Sequence, residues 1–202
     1  MRLVLVSQSP RRQAILRDLG FDLQLAASRY EEPTVRQHPD PPRLATELAL
    51  AKMDQADLPA GGGLLVTADT LVFLDGQILG KPADAAEARS MLARLSGRTH
   101  SVVTGLCLQD PRGNRRLTGA EVTAVTFDPI PPALLEFYLE TGEWRDKAGA
   151  YGIQGWAALF TRKIDGCYFN VVGFPLNLFG RLLQQLGYGL LELCLDGPPA
   201  RT

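Results

Sequence analysis

The sequence predicts an α/β protein built on a mixed sheet. Two observations carry this. Short apolar or alternating runs interleave with segments of helical periodicity, and hairpin turns stand among the helix crossovers. The chain has 202 residues, which suits one domain or two small lobes sharing a core. A net charge of −1 gives no global field to hold a nucleic-acid polymer or an anionic membrane. Any bound anion must therefore be met by a local cluster of positive groups. With 46% hydrophobic residues, the composition is that of a soluble globular protein.

Leu3 to Val6 is a continuous apolar run and reads as a buried strand. Ser7-Gln8-Ser9-Pro10 turns the chain, with Ser9 as a helix N-cap and Pro10 at the first helical position. Ala14, Ile15, Leu16 and Leu19 give that helix one apolar face, and Gly20 ends it. Phe21, Leu23 and Leu25 alternate as in a strand, and the polar, proline-rich stretch 29–43 reads as a loop. A helix follows over about 42–56, then a break at Pro59-Ala60-Gly61-Gly62-Gly63. Residues 64–74 are the most strand-like run in the chain, closed by the Asp75-Gly76 turn and a short return at 77–79. A helix is expected over 84–96. A long hairpin, 99–108 and 116–127, spans Asp110-Pro111-Arg112-Gly113-Asn114. Pro131 opens another helix, ended by Gly142. A glycine-rich loop, 145–155, precedes expected strands at 157–164 and 167–172, and Pro175 opens the last clear helix. Residues 1–190 make the expected single domain, and 191–202 a fraying C-terminal tail.

Cys107, Cys167 and Cys194 are widely spaced, with only His38 and His100 to join them, so neither a disulfide framework nor a thiolate zinc site is expected. The apolar N-terminal run stops at Ser7, too short for a signal peptide, and no stretch approaches a membrane span. The expected compartment is the cytoplasm, with no membrane partner.

Four places carry chemistry that a purely structural protein does not need. In Ser7-Gln8-Ser9-Pro10-Arg11-Arg12 a strand runs into a helix, and two guanidinium groups oppose the helix dipole in the first turn. That cost is offset if an anion sits there; the plain alternative is a solvated basic turn. Asp69, followed by Thr70, lies mid-strand, six residues from the Gly63 break and six from the Asp75 turn. A carboxylate inside an apolar strand costs several kcal/mol unless paired or metal-bound. It reads as a general base or metal ligand rather than a cap. Lys52 and Lys81 are the third place. Lys81, in Gly80-Lys81-Pro82, lacks the P-loop spacing, and Lys52 alone is weak. The fourth, Asp146-Lys147-Ala148-Gly149-Ala150-Tyr151-Gly152-Ile153-Gln154-Gly155, lets backbone approach a ligand and offers Gln154 as a base reader, against the alternative of a mobile connector. Glu32, in the loop before Pro33, can join Asp69 in an oxygen-ligand site for Mg2+ or Mn2+. His100 reads as a satisfied polar residue rather than a base.

These motifs, with Ala51-Lys52, Ala68-Asp69-Thr70, Ser96-Gly97-Arg98-Thr99-His100-Ser101-Val102, Thr104-Gly105 and Asn170-Val171-Val172-Gly173, follow one another in an order that resembles the Maf family of nucleoside triphosphate pyrophosphatases. The resemblance covers residues 3 to about 187. It implies an elongated Maf/ITPase-like α/β fold with a twisted mixed sheet and a cleft between two lobes, a homodimer, and a divalent metal cation (Mg2+ or Mn2+) as cofactor. The implied reaction cleaves a nucleoside triphosphate between its α and β phosphates, giving the monophosphate and pyrophosphate. The proton acceptor falls on Asp69, the phosphate-handling groups on Ser9, Arg12, Lys52 and Lys81, and the loop acid on Glu32. Members acting on dTTP and UTP have Arg, Thr and Gln at three places, here Arg11, Thr70 and Gln154; the sister group acting on 7-methylguanosine triphosphate has Trp, Gln and Glu. The resemblance therefore implies dTTP and UTP, or modified pyrimidine nucleotides, as substrates. Met53 and Phe174 depart from the usual Ala and Leu, both apolar exchanges. The rival reading is a nucleotide-binding regulator of septum formation without catalysis.

Overall fold

The computed structural model describes residues 2–33, 35, 37–58, 62–110, 112 and 115–189; the expected tail, 191–202, and Cys194 lie outside them. The described elements are β1 (Leu3–Val6), α1 (Pro10–Asp18), β2 (Leu23–Ala26), α2 (Pro41–Asp54), β3 (Leu64–Leu74), β4 (Gln77–Leu79), α3 (Ala85–Leu95), β5 (Thr99–Asp110), β6 (Arg115–Phe127), α4 (Pro132–Thr141), β7 (Thr161–Asp165), α5 (Tyr168–Val172) and α6 (Leu176–Leu186). The strands form one sheet in the order β2-β1-β3-β5-β6-β7, with β4 pairing β3. β1 runs parallel to β2 and β3, and the other pairs are antiparallel, so the sheet is mixed as expected.

β3 sets the geometry of the molecule. On one edge it pairs β5 along most of its length, Leu65 to Phe73. On the other edge β1 covers only Leu64–Val66, and β4 only Val72–Leu74. No strand among the described residues covers Thr67–Leu71 on that edge, so a gap opens beside Asp69 in the middle of the sheet. Successive side chains of a strand point to opposite faces. Ala68, Val72 and Leu74 join the large core, with Leu3 and Leu5 of β1, Ile15 and Leu16 of α1, and α3, α4 and α6. Leu65 packs on the other face, with Val4, Val6, Ala49 and Met53 under α2.

The seat of α2 is unusually close. A Cβ on Gly105, which pairs Asp69 across the sheet, would lie 2.1 Å from the Ala45 carbonyl oxygen of α2. Only a glycine permits that approach. One turn along, Thr67 Oγ1 donates to the Ala49 carbonyl at 2.6 Å. Together these contacts fix α2 over β3 and aim its last turn, which carries Lys52, at Asp69.

The expected elements fail in the stretch after the 145–155 loop. Residues 167–172 are not a strand: Tyr168–Val172 is a short helix, and Trp156–Phe160 is a 3-10 turn, leaving Thr161–Asp165 as the only strand there. β-branched and aromatic residues favour a strand locally, but Asn170 overrides them. Its buried amide donates to the Val102 carbonyl and to Thr123 Oγ1, both at 3.0 Å, which fastens the segment to the face of β5 and β6. Gly173 then closes α5 at φ 116°, in the region that favours glycine.

The 145–155 loop is held from below by a buried aromatic cluster. His100 Nε2 meets Tyr151 Oη at 2.8 Å, and Phe127 contacts both rings edge-on. His100 Nδ1 is buried without a hydrogen-bond partner among the described residues. Burial lowers the His100 pKa from 6.5 to about 4.

Two outcomes follow from this packing. Gly105→Ala should push α2 off the sheet, lowering the thermal midpoint and abolishing activity through misplaced Lys52; calorimetry and a turnover assay check both. His100 is neutral in both states above pH 6.5, so it costs nothing there. As pH falls below 6.5 the unfolded chain takes the proton first, and stability should drop by about 1.4 kcal/mol per pH unit until about pH 4. Urea unfolding of the wild type against His100→Gln, at several pH values, should show that slope only in the wild type.

Candidate active site

The gap beside β3 opens into a cleft of about 900 Å3. Every residue singled out from the sequence as catalytic, binding or metal-ligating lines it: Ser9, Arg11, Arg12, Glu32, Lys52, Asp69, Thr70, Lys81 and Gln154. They arrive from six separate segments of chain. The β1–α1 turn brings Ser9 and the two arginines, the loop after β2 brings Glu32, and α2 brings Lys52. β3 supplies Asp69 and Thr70, and Lys81 and Gln154 come from the loops after β4 and α4.

An ion-pair cluster occupies the centre. The Lys52 ammonium lies 2.5 Å from Asp69 Oδ1 and 2.5 Å from Glu32 Oε1. Lys81 stands 3.9 Å from the other oxygen of Glu32 and is largely exposed. The side chain of Asp69 is only 7% exposed and that of Lys52 14%, so this pair is withdrawn from water, whereas Glu32 is near half exposed. Burial alone would raise the pKa of Glu32. The charge and hydrogen bond of Lys52, with Lys81 and Arg12, win and hold it below the ordinary carboxylate range.

Arg12 approaches from the opposite face. Its Nε donates to the Gly173 carbonyl at 2.8 Å, Nη2 to Thr70 Oγ1 at 3.0 Å, and Nη1 to Ser7 Oγ at 3.4 Å. Burial lowers its pKa, opposed by the nearby charge of Asp69. Arg11 makes no hydrogen bond or ion pair among the described residues; burial lowers its pKa against the pull of Asp146. Ser9 is the N-cap residue of α1 by position, but its hydroxyl makes no cap bond and faces the cleft; Ser7 Oγ accepts from the Ser9 N–H instead. Gln154 is exposed and makes no hydrogen bond among the described residues.

One cleft residue, Glu143, gives little signal in sequence. Glu143 follows an ordinary helix end, yet its carboxylate accepts from the Trp156 N–H at 2.9 Å, just beyond Gln154 in the chain. Lys147 was visible in its motif, but its ammonium is turned onto the carbonyls of Glu143 and Arg145. Gly155 lies against Glu143, where a Cβ would fall 2.1 Å from Oε2.

No group of three or more His, Cys, Asp or Glu side chains fit to hold a metal ion occurs among the described residues. The protein offers two carboxylates, Glu32 and Asp69, converging on one point now taken by an ammonium. Such a hard-oxygen pair fits a cation like Mg2+, which binds through one or two carboxylates and completes its shell with phosphate oxygens and water.

Comparison with known proteins gives one answer. The chain is 47% identical over 188 residues to a dTTP/UTP pyrophosphatase of Symbiobacterium thermophilum, covering 93% of this chain and 95% of that protein. It is 48% identical over 187 residues to a protein of the same name from Moorella thermoacetica, covering 92% and 95%. Against the one from Pyrococcus furiosus it is 43% identical over 192 residues, covering 95% and 98%. The family described as Maf-like protein matches residues 2–186, and with these full-length relatives it establishes that the chain belongs to the Maf-like protein family.

Proposed function

We propose that the protein hydrolyses dTTP and UTP to the nucleoside monophosphate and pyrophosphate. The observation that carries this is the buried Asp69 facing Lys52 and Glu32 in a cleft that also holds Arg11, Arg12 and Lys81. The names of the relatives agree with it. A buried carboxylate with a single short ion pair keeps its second oxygen for another proton donor, here a water. Asp69 orients that water and takes its proton as the oxygen attacks the α-phosphorus in line. The bond to the bridging oxygen between the α and β phosphates breaks, and its electrons leave on pyrophosphate. Lys52 and Lys81 stabilise the charge that builds there. Arg12 and Ser9 hold the phosphate chain, the hydroxyl donating without losing any internal bond.

Glu32 and Asp69 are the groups that would hold a divalent cation, Mg2+ or Mn2+. When bound, it offsets phosphate charge and polarises the phosphoryl oxygens. Gln154 offers paired donor and acceptor atoms for a pyrimidine edge, with Arg11 and Thr70 of the same cleft completing the specificity set.

The same proposal has residues 1–190 forming one domain, two copies forming a homodimer, and the protein working in the cytoplasm with neither nucleic-acid polymer nor membrane as partner. No helix among the described residues is long and apolar enough to cross a membrane.

Phosphate release in the presence of added inorganic pyrophosphatase, measured over a nucleotide panel with Mg2+, should be highest for dTTP and UTP. Asp69→Asn should lower turnover by about a thousandfold or more while nucleotide binding stays within a few-fold. Pyrophosphate release by Asp69→Asn at the normal rate would remove Asp69 as the base. A wild type that binds these nucleotides without cleaving any would favour a regulatory binder.

A further inference from the structure

Gln154 is the third residue of a tight turn, closed by the Gly155 N–H donating to the Gly152 carbonyl at 3.1 Å. Its side chain is exposed, lines the cleft and makes no hydrogen bond among the described residues. The direction of its amide is therefore set through the turn. Both sides of that turn are fastened to the end of α4. Before Gln154, the Gly152 N–H donates to Tyr138 Oη at 3.1 Å, and Tyr138 is fully buried in α4. After it, the Trp156 N–H donates to Glu143 Oε2 at 2.9 Å.

Glu143 is itself held. Its N–H donates to Thr141 Oγ1 at 3.2 Å, and its carbonyl accepts from the Lys147 ammonium. The stem of Lys147 lies against Gly152, where a Cβ would meet Cε at 2.8 Å. The Glu143 carboxylate lies against Gly155, where a Cβ would fall 2.1 Å from Oε2 and 2.6 Å from Oε1. Gly155 has φ −109°, outside the left-handed region that favours glycine, so it is the contact with the carboxylate that demands glycine there. The two glycines of the turn are thus the places where side chains of the 143–147 segment press on its backbone.

The geometry points to Glu143 as a positioning residue for base selection: its carboxylate, seated against Gly155, holds the turn so that the Gln154 amide meets a pyrimidine edge already oriented. This rests on Gln154 reading the base, as proposed above. A turn held in this way loses less freedom when the base arrives, so the gain falls on the base contact and not on the phosphates.

In Glu143→Ala the preference for dTTP and UTP over CTP and GTP should shrink about tenfold, through KM, with kcat kept within about twofold. Binding of inorganic tripolyphosphate with Mg2+, measured by calorimetry, should stay within about twofold, because that ligand has no base. Glu143→Gln keeps an acceptor oxygen and should keep the preference within about threefold. Gly155→Ala should reproduce the loss in the wild type and add less than about twofold in Glu143→Ala, where the carboxylate it displaces is gone. Glu143→Ala should likewise add less than about twofold in a Gln154→Ala background. An unaltered preference in Glu143→Ala, or an equal loss for every nucleotide and tripolyphosphate, would overturn the inference. So would a Glu143→Gln as damaging as Glu143→Ala, which would make the carboxylate a direct contact of the ligand. Gln154→Ala with unaltered nucleotide ratios would instead overturn the base-reading role of Gln154. Amide hydrogen exchange over 152–158, faster in Glu143→Ala if the inference holds and unchanged if it does not, would still decide whether Glu143 holds the turn.

Discussion

Asp69 can stay in the middle of the sheet only because Lys52 reaches it. A carboxylate this deep loses most of its hydration, at a cost of several kcal/mol, and one ammonium at 2.5 Å supplies the compensating charge. The pair spans β3 and the last turn of α2, so the position of a whole helix is tied to one charged contact. Glycine at position 105 and the hydroxyl of Thr67 serve the same end, since each fixes α2 at the height where its final lysine meets the acid. Removing either partner would leave the other charged and buried, which is worse than removing both.

The gap in the sheet is the second half of this arrangement. A continuous neighbour along β3 would cover Asp69 with backbone and shut it away from any substrate. Ending β1 at Val6 and β4 at Leu79, opposite Val72, leaves five residues of β3 open on one edge. The charged groups enter that opening from both faces, Lys52 and Glu32 from one and Arg12 from the other. A polyphosphate has the length and charge to span both groups.

Much of this was legible in the sequence, for different reasons at different residues. Asp69 announces itself because an acid between Ala68 and Thr70 in an apolar run has no cheap structural explanation. The arginines after Ser9 do so because they stand against a helix dipole. Lys52 has no such signal: a lysine late in a helix is usually solvated, and only its place in an ordered set of motifs singled it out. The sequence could not show that Thr70 faces away from Asp69 toward Arg12, because that bond joins positions 58 residues apart. Nor could it show Tyr168–Val172 as a helix. The five residues carry strand propensity, and the amide that defeats it finds its acceptors in β5 and β6, far along the chain. Glu143 was invisible for a similar reason, since its task is set by where residue 156 returns in space.

The bond from Arg12 Nε to the Gly173 carbonyl joins residues 161 positions apart. Arg12 leaves the ribosome early and Gly173 close to the end. At ordinary rates of synthesis roughly ten seconds or more separate them. During that interval a nascent chain displays Arg12 at the start of α1 without the acceptor for its Nε. The cleft is therefore completed late, and an interrupted translation product would carry its acid and its lysines without the carbonyl that helps to orient Arg12.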